Sequence, residues 1–336
     1  MFLFFSVFFS QFIFIHSIKG INWYGFETQN NCLLGLQYNS LNYYLQILNQ
    51  NNFNALRIPI SVDIVLENTI PQNWFLEANP NYINQPFSII LNDLFIKSDY
   101  YNISILIDVH RLKAGISSPL WYIPNDTIYN ENTLINVYDF IINNYGHYNN
   151  FLGIDLFNEP HYNATWDSNN SLYDFKIFVT KVIYYFENKY DKPFHVIING
   201  IDWGKNLTLL ESSPLDISKL NKFKNHIIYS PHLYGPSLNY IYSYDQDYLF
   251  QYWDQLFGFI DPNYLWIGEW GGRFDHSNDL QWINTLILYM NQKNFTNHFF
   301  WALNPDSKDV DGLFLLDWIT LNSNVIQTIN LIHFIK

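Results

Sequence analysis

Cysteine is all but missing from this chain. Cys32 is the only one in 336 residues, which excludes an intramolecular disulfide and any zinc site built from several thiolates. Alone, it reads as a small buried hydrophobe. Positive charge is also scarce: 17 Lys and Arg against 30 Asp and Glu give a formal charge of −13. With no basic cluster, nucleic acid and anionic membrane surfaces are poor partners, and a neutral polymer suits the surface better. No His-Glu-x-x-His, P-loop or Gly-x-Ser-x-Gly run occurs, so zinc-protease, nucleotide and serine-hydrolase chemistry lack their signatures. The stretch from Asp306 to Gly312 is acidic like a calcium loop but lacks the closing Glu, and reads as a substrate-side loop. No metal or other cofactor is expected. No Pro/Gly/Ser linker or repeat marks off a second domain.

What is abundant is apolar and aromatic. The chain is 49% hydrophobic and 20% aromatic, enough to bury a large core without covalent staples. Exposed rings also offer flat apolar faces on which sugars stack. The first residues, Phe2 to Ile15, form a nearly unbroken apolar run. A membrane span needs about 20 residues, so residues 1–17 are expected to be a secretory signal and 18–336 a single catalytic domain. No Lys or Arg precedes the run, so an uncleaved anchor is the alternative. The domain is expected to be a secreted monomer with no stable membrane insertion after cleavage. Sequons at Asn102, Asn125, Asn163, Asn169, Asn206 and Asn294 agree with secretion. In a chain this rich in asparagine they do not decide it.

Short apolar runs alternate with helix-like segments from end to end, the pattern of βαβ units around a parallel sheet. Eight strands are expected, roughly Ile21 to Gly25, Asn54 to Pro59, Ile103 to Val109, Phe151 to Phe157, Phe194 to Asn199, His226 to Ser230, Tyr264 to Gly268 and His298 to Trp301. Eight strands with outer helices imply an α/β fold, a (β/α)8 TIM barrel. In that fold the chemistry collects at the carboxyl ends of the strands.

Polar residues fall at those ends. The fourth strand closes on Asn158-Glu159-Pro160, and the seventh on Gly268-Glu269-Trp270. A carboxylate ending a buried strand is costly unless it has work to do. Two of them on one rim, three strands apart, can approach to roughly 5 Å, the spacing of retaining glycoside hydrolysis. Glu159 is read as the general acid/base and Glu269 as the nucleophile. Arg57, in Leu56-Arg-Ile-Pro59, is buried by its context and requires a carboxylate partner, naturally Glu269. Asn158 is placed to donate to a sugar 2-hydroxyl. His110 and His232 are candidates for binding sugar hydroxyls or positioning the carboxylates, with a purely structural role as the alternative. Tyr234 is expected to donate to Glu269, and Trp301 to lie beneath the reacting sugar.

Together these residues resemble glycoside hydrolase family 5, the clan A cellulase family, over about residues 20 to 318. The pieces that carry the resemblance are Asn22-Trp-Tyr-Gly-Phe-Glu-Thr28, Arg57-Ile-Pro59, Asp108-Val-His-Arg111, Leu120-Trp-Tyr122, Phe157-Asn-Glu-Pro-His161, Tyr229-Ser-Pro-His-Leu-Tyr-Gly235, Ile267-Gly-Glu-Trp-Gly271 and Trp301-Ala-Leu-Asn-Pro-Asp-Ser307. The first and last are most similar to the secreted endo-β-1,4-glucanases. The resemblance implies a retaining hydrolase of cellulose or related β-glucans, with Glu159 and Glu269 catalytic and Arg57, His110, Asn158, His232, Tyr234 and Trp301 around the reacting sugar. The same machinery on mannan, β-1,3-glucan or a glycolipid is the nearest alternative, and a non-catalytic glycan-binding protein the distant one. Leu34-Gly-Leu-Gln37 stands where relatives often have His-Gly-Leu-Trp, and the segment after the fifth strand is short. Both departures bear on distal sugar subsites rather than on the chemistry.

Overall fold

The computed structural model describes residues 17–333; the expected signal segment therefore lies almost wholly outside the described residues. The strands are β1 (Lys19–Asn22), β2 (Ala55–Ser61), β3 (Ser104–Arg111), β4 (Phe151–Asp155), β5 (His195–Asn199), β6 (Ile227–Ser230), β7 (His232–Tyr234), β8 (Ile267–Gly271) and β9 (His298–Phe300). They form one parallel sheet in the order β6-β5-β4-β3-β2-β1-β9-β8-β7. β6 and β7 are two halves of one strand, divided at Pro231, which has no N–H to give to a ladder. The first half pairs with β5 and the second with β8. Bonds from Trp266 N to Tyr229 O at 3.0 Å and from Gly268 N to Pro231 O at 3.2 Å close the sheet. Nine segments thus make the eight-stranded barrel that the sequence pattern implies.

The outer layer is α1 (Leu41–Gln50), α2 (Val62–Glu67), α3 (Phe87–Tyr100), α4 (Glu131–Tyr145), α5 (Phe175–Lys189), α6 (Leu209–Ser212), α7 (Gln246–Trp253), α8 (Ser277–Lys293) and α9 (Ser323–Ile329). Local signals set their ends. Ser40 caps α1 by accepting from Tyr43 N, and α1 buries Leu41, Tyr44, Leu45 and Leu48, one face at helical spacing. Asn130 caps α4 through the Asn132 and Thr133 amides. Among the described residues no helix is long and apolar enough to cross a membrane.

Two strands, β1 and β8, depart by three residues from the sequence pattern, and the others by two at most. β1 ends at Asn22, because Gly25 adopts φ +149 and gives its N–H to the Glu27 carboxylate instead of a neighbouring strand. β8 starts at Ile267, because Pro262–Tyr264 forms a 3-10 turn capped by Asp261. The second shift matters more: Glu269 lies inside its strand, where pairing of His232 with Glu269 fixes its register.

Inside the barrel, side chains alternate with a period of two. Ile18, Ala55, Leu106, Ile197, Ile228, Trp266 and Phe299 fill the lower interior as an apolar plug. Two residues further along the strands the interior becomes polar: Ala55 gives way to Arg57, Leu106 to Asp108, Ile197 to Asn199 and Ile228 to Ser230. All four of these polar residues are buried. This polar layer is the floor of the site.

Candidate active site

Arg57 occupies the centre of that floor and is fully buried. Its Nη1 donates to Glu269 Oε1 at 2.6 Å and to Asn22 Oδ1 at 3.0 Å. Its Nη2 donates to Asp155 Oδ2 at 2.9 Å and to Asn158 Oδ1 at 2.8 Å, and lies 3.1 Å from Asp108 Oδ2. Burial alone would lower the guanidinium pKa, but Asp108, Asp155 and Glu269 outweigh it and raise it. The cation is therefore permanent. Only a rigid planar fork of donors can serve this many oxygens at once.

Each catalytic candidate is held by a named partner. Glu269, whose side chain is 4% exposed, accepts from Arg57 on Oε1 and from the Tyr234 hydroxyl on Oε2 at 2.5 Å. Glu159 follows the end of β4 in the left-handed region at φ +49, which costs a non-glycine residue about 1–2 kcal/mol. Its backbone N–H donates to Asn199 Oδ1 at 3.0 Å, and its Oε1 lies 2.9 Å from His232 Nδ1. Oxygens of Glu159 and Glu269 come within 4.8 Å of each other, with His232 between them.

Desolvation by burial lifts the Glu159 carboxyl from 4.5 to about 7, with Arg57 and Arg111 opposing the rise and Asp155 adding to it. The two histidines are neutral near pH 7. Burial holds His232 down at about 4 and His110 well below its usual range. His110 Nδ1 sits 2.6 Å from Asp108 Oδ2, and its Nε2 faces Asn158 Nδ2 at 3.3 Å. Burial, with the Glu269 charge behind it, keeps the Tyr234 phenol protonated, so it remains a donor.

Above these groups opens a cleft of about 490 Å³. Seven of the eight expected residues face it directly: Glu159 and Glu269, with His110, Asn158, His232 and Tyr234 completing the polar side, and Trp301 forming an aromatic wall. Arg57 lies just beneath. Trp301 is held nearly parallel to Tyr24 (ring centroids 5.5 Å apart) and to His110 (5.6 Å). All eight residues singled out in the sequence thus converge on one place.

Several residues of the site were not singled out in the sequence. Asn22, Asp108, Asp155 and Asn199 are fully buried and ligate Arg57 or its partners. For Asp108 and Asn199 the signal was the two-residue step from an inward apolar residue, Leu106 or Ile197, to a polar one; Asn22 and Asp155 follow glycines at that spacing and carried no such signal. Trp203, 39% exposed, lines the cleft and stacks on His161 at 3.5 Å. It rides on a hairpin between Gly200 and Asn206 whose Gly204, at φ +76, passes so close to the His232 ring that an added Cβ would lie 2.8 Å from it. Only glycine fits there.

The family model for cellulase (glycosyl hydrolase family 5) matches residues 15–307. The chain belongs to glycosyl hydrolase family 5. An endoglucanase of Paenibacillus polymyxa is 29% identical over 91% of this chain and 80% of its own length. The major extracellular endoglucanase of Xanthomonas campestris pv. campestris is 28% identical, over 91% of this chain and 66% of its own length, slightly under two thirds. Among solved structures, a complex of the endocellulase from Pyrococcus horikoshii with cellotetraose superposes with a TM-score of 0.86 at 26% identity, covering 94% of this chain and 92% of that one. As a family 5 member the chain is a glycoside hydrolase with a TIM barrel, and its two facing carboxylates stand where that barrel places chemistry.

Proposed function

We propose that this protein is a secreted, retaining endo-β-1,4-glucanase. The observation that carries the reading is the approach of Glu159 and Glu269 to within 4.8 Å across the cleft. Retaining enzymes hold their carboxyls about 5–5.5 Å apart, whereas inverting ones need roughly 6.5–9.5 Å to admit a water.

In this reading the Glu269 carboxylate, aimed by Arg57 and Tyr234, attacks the anomeric carbon. Protonated Glu159 gives its proton to the departing glycosidic oxygen as that bond breaks. The product is a glycosyl ester on Glu269 and a Glu159 carboxylate. Loss of the Glu269 charge favours that ionised form. Glu159 then takes a proton from water, the oxygen attacks the anomeric carbon, and Glu269 leaves as carboxylate. Two inversions give net retention. Asn158 has a second amide hydrogen, beyond the one facing His110, for the sugar 2-hydroxyl, and Trp301 supplies the face beneath the ring.

The polymer preference rests on relatives named as endoglucanases and on the cellotetraose complex of the archaeal endocellulase. Extracellular action rests on the apolar leader and on the relative described as extracellular. Glycosylation belongs to the same reading; five of the six sequon asparagines are exposed, all but Asn206. The test is digestion of cellohexaose and a panel of β-glycans with proton NMR of the first products. Internal cleavage of cellohexaose giving the β-anomer is expected. The α-anomer first, or activity on mannan with none on cellulosic or mixed-linkage glucan, overturns it.

A further inference from the structure

Glu159 reaches the cleft from a backbone conformation it would not adopt unaided, so something must hold it. Pro160 follows it, and the Glu159 N–H donates to one side-chain atom, Asn199 Oδ1. Asn199 ends β5 and is fully buried. Its other amide atom, Nδ2, donates to Asp155 Oδ1 at 2.9 Å. Asp155 in turn accepts from Arg57 Nε at 3.1 Å and Nη2 at 2.9 Å, and Arg57 Nη1 holds Glu269. Two side chains, Asn199 and Asp155, therefore join the backbone of Glu159 to the arginine that grips Glu269.

We infer that Asn199 is a positioning residue that fixes the Glu159 carboxyl relative to Glu269 through the Glu159 N–H. The inference rests on the assignment of Glu159 as acid/base. The chemistry of the position supports it. One atom must accept from an amide and the adjacent one must donate to a carboxylate, which among side chains of this length only asparagine does. Aspartate in its place would face the Asp155 carboxylate, and alanine would leave a buried N–H and a buried carboxylate oxygen unpaired. The same residue anchors the hairpin that follows it, where Gly200 pairs with Gly204 and the cleft residue Trp203 is carried.

A residue that acts through Glu159 leaves a signature that a merely stabilising one does not. Cellopentaose requires protonation of its leaving group; 2,4-dinitrophenyl β-cellobioside does not. In Asn199→Ala, kcat/KM on cellopentaose is expected to fall roughly 100-fold, the scale of a catalytic group misplaced by about 1 Å. On the dinitrophenyl substrate kcat/KM is expected to stay within about threefold, while its kcat falls and is restored by azide, an anionic nucleophile that needs no base. Asn199→Asp, which keeps the shape and an acceptor, carries the same expected split if the alanine variant is insoluble. Equal losses on both substrates, or no loss on either, overturn the inference. Glu159→Gln is measured alongside: if it shows no such split, the acid/base assignment itself has failed; if it does and the Asn199 variants do not, only the positioning role falls.

Discussion

Arg57 Nη1 and Glu269 Oε1 lie 2.6 Å apart in the buried floor of the barrel. The arginine carries the charge balance of three buried carboxylates, Asp108, Asp155 and Glu269. Removing one partner of a buried charge pair costs about 3–5 kcal/mol. Arg57→Ala is therefore expected to lose that much stability in urea denaturation. Arg57→Lys keeps the charge but loses the fork, and is expected to fold while losing roughly 100-fold in kcat/KM on cello-oligosaccharides.

Tyr234 touches the site through one hydroxyl, donated to Glu269 Oε2. Hydrogen bonds to charged groups contribute about 1.5–3 kcal/mol, and each 1.36 kcal/mol is tenfold in rate. Tyr234→Phe is expected to reduce kcat roughly 10- to 100-fold with the thermal midpoint nearly unchanged. A variant with full activity would remove the phenol from the account of nucleophile positioning.

The pH profile follows from Glu159. Burial raises its pKa to about 7, and the first step needs its protonated form. The proton is present below pH 7 and lost above it, so kcat/KM on cello-oligosaccharides is expected to fall on the alkaline side with an apparent pKa near 7. Glu159→Gln is expected to abolish that limb. On the dinitrophenyl cellobioside, which needs no acid, the limb is expected to be absent from kcat/KM even in the unaltered enzyme.

Trp203 stacks on His161, two residues beyond Glu159, on the side from which the leaving group receives its proton. An aromatic contact of this kind contributes about 0.5–1.5 kcal/mol beyond its burial. Trp203→Ala is expected to raise KM for cellohexaose about 3- to 10-fold and to leave hydrolysis of short aryl cellobiosides unchanged. Steady-state kinetics on the two substrates separate the effects.

Much of this was legible before the fold was known, for a physical reason. Glu159 and Glu269 interrupt buried strands, and charge in such a place is visible against an apolar background. Arg57 was legible in the same way, including its pairing with Glu269. Asp108 and Asn199 were not singled out, because each is two residues from an inward apolar side chain and becomes meaningful only once strand register shows which face points in, and Asp155, two residues past Gly153, lacked even that cue. Trp203 was hidden by composition: in a chain that is 20% aromatic, a loop tryptophan carries no signal until the Gly200–Asn206 hairpin brings it to the cleft. The position of Glu269 inside β8 rather than after it depended on a 3-10 turn at Pro262, which shifted the strand by three residues at its start.

The central claim is that Glu269 is the nucleophile of a double displacement. It is tested most directly by inactivating the enzyme with 2-deoxy-2-fluoro-β-cellobiosyl fluoride and mapping the adduct by peptide mass spectrometry. One fluorocellobiosyl group on the peptide carrying Glu269 is the expected result. Inactivation with the label on Glu159 or elsewhere, or turnover of the reagent with inversion and no adduct, contradicts it.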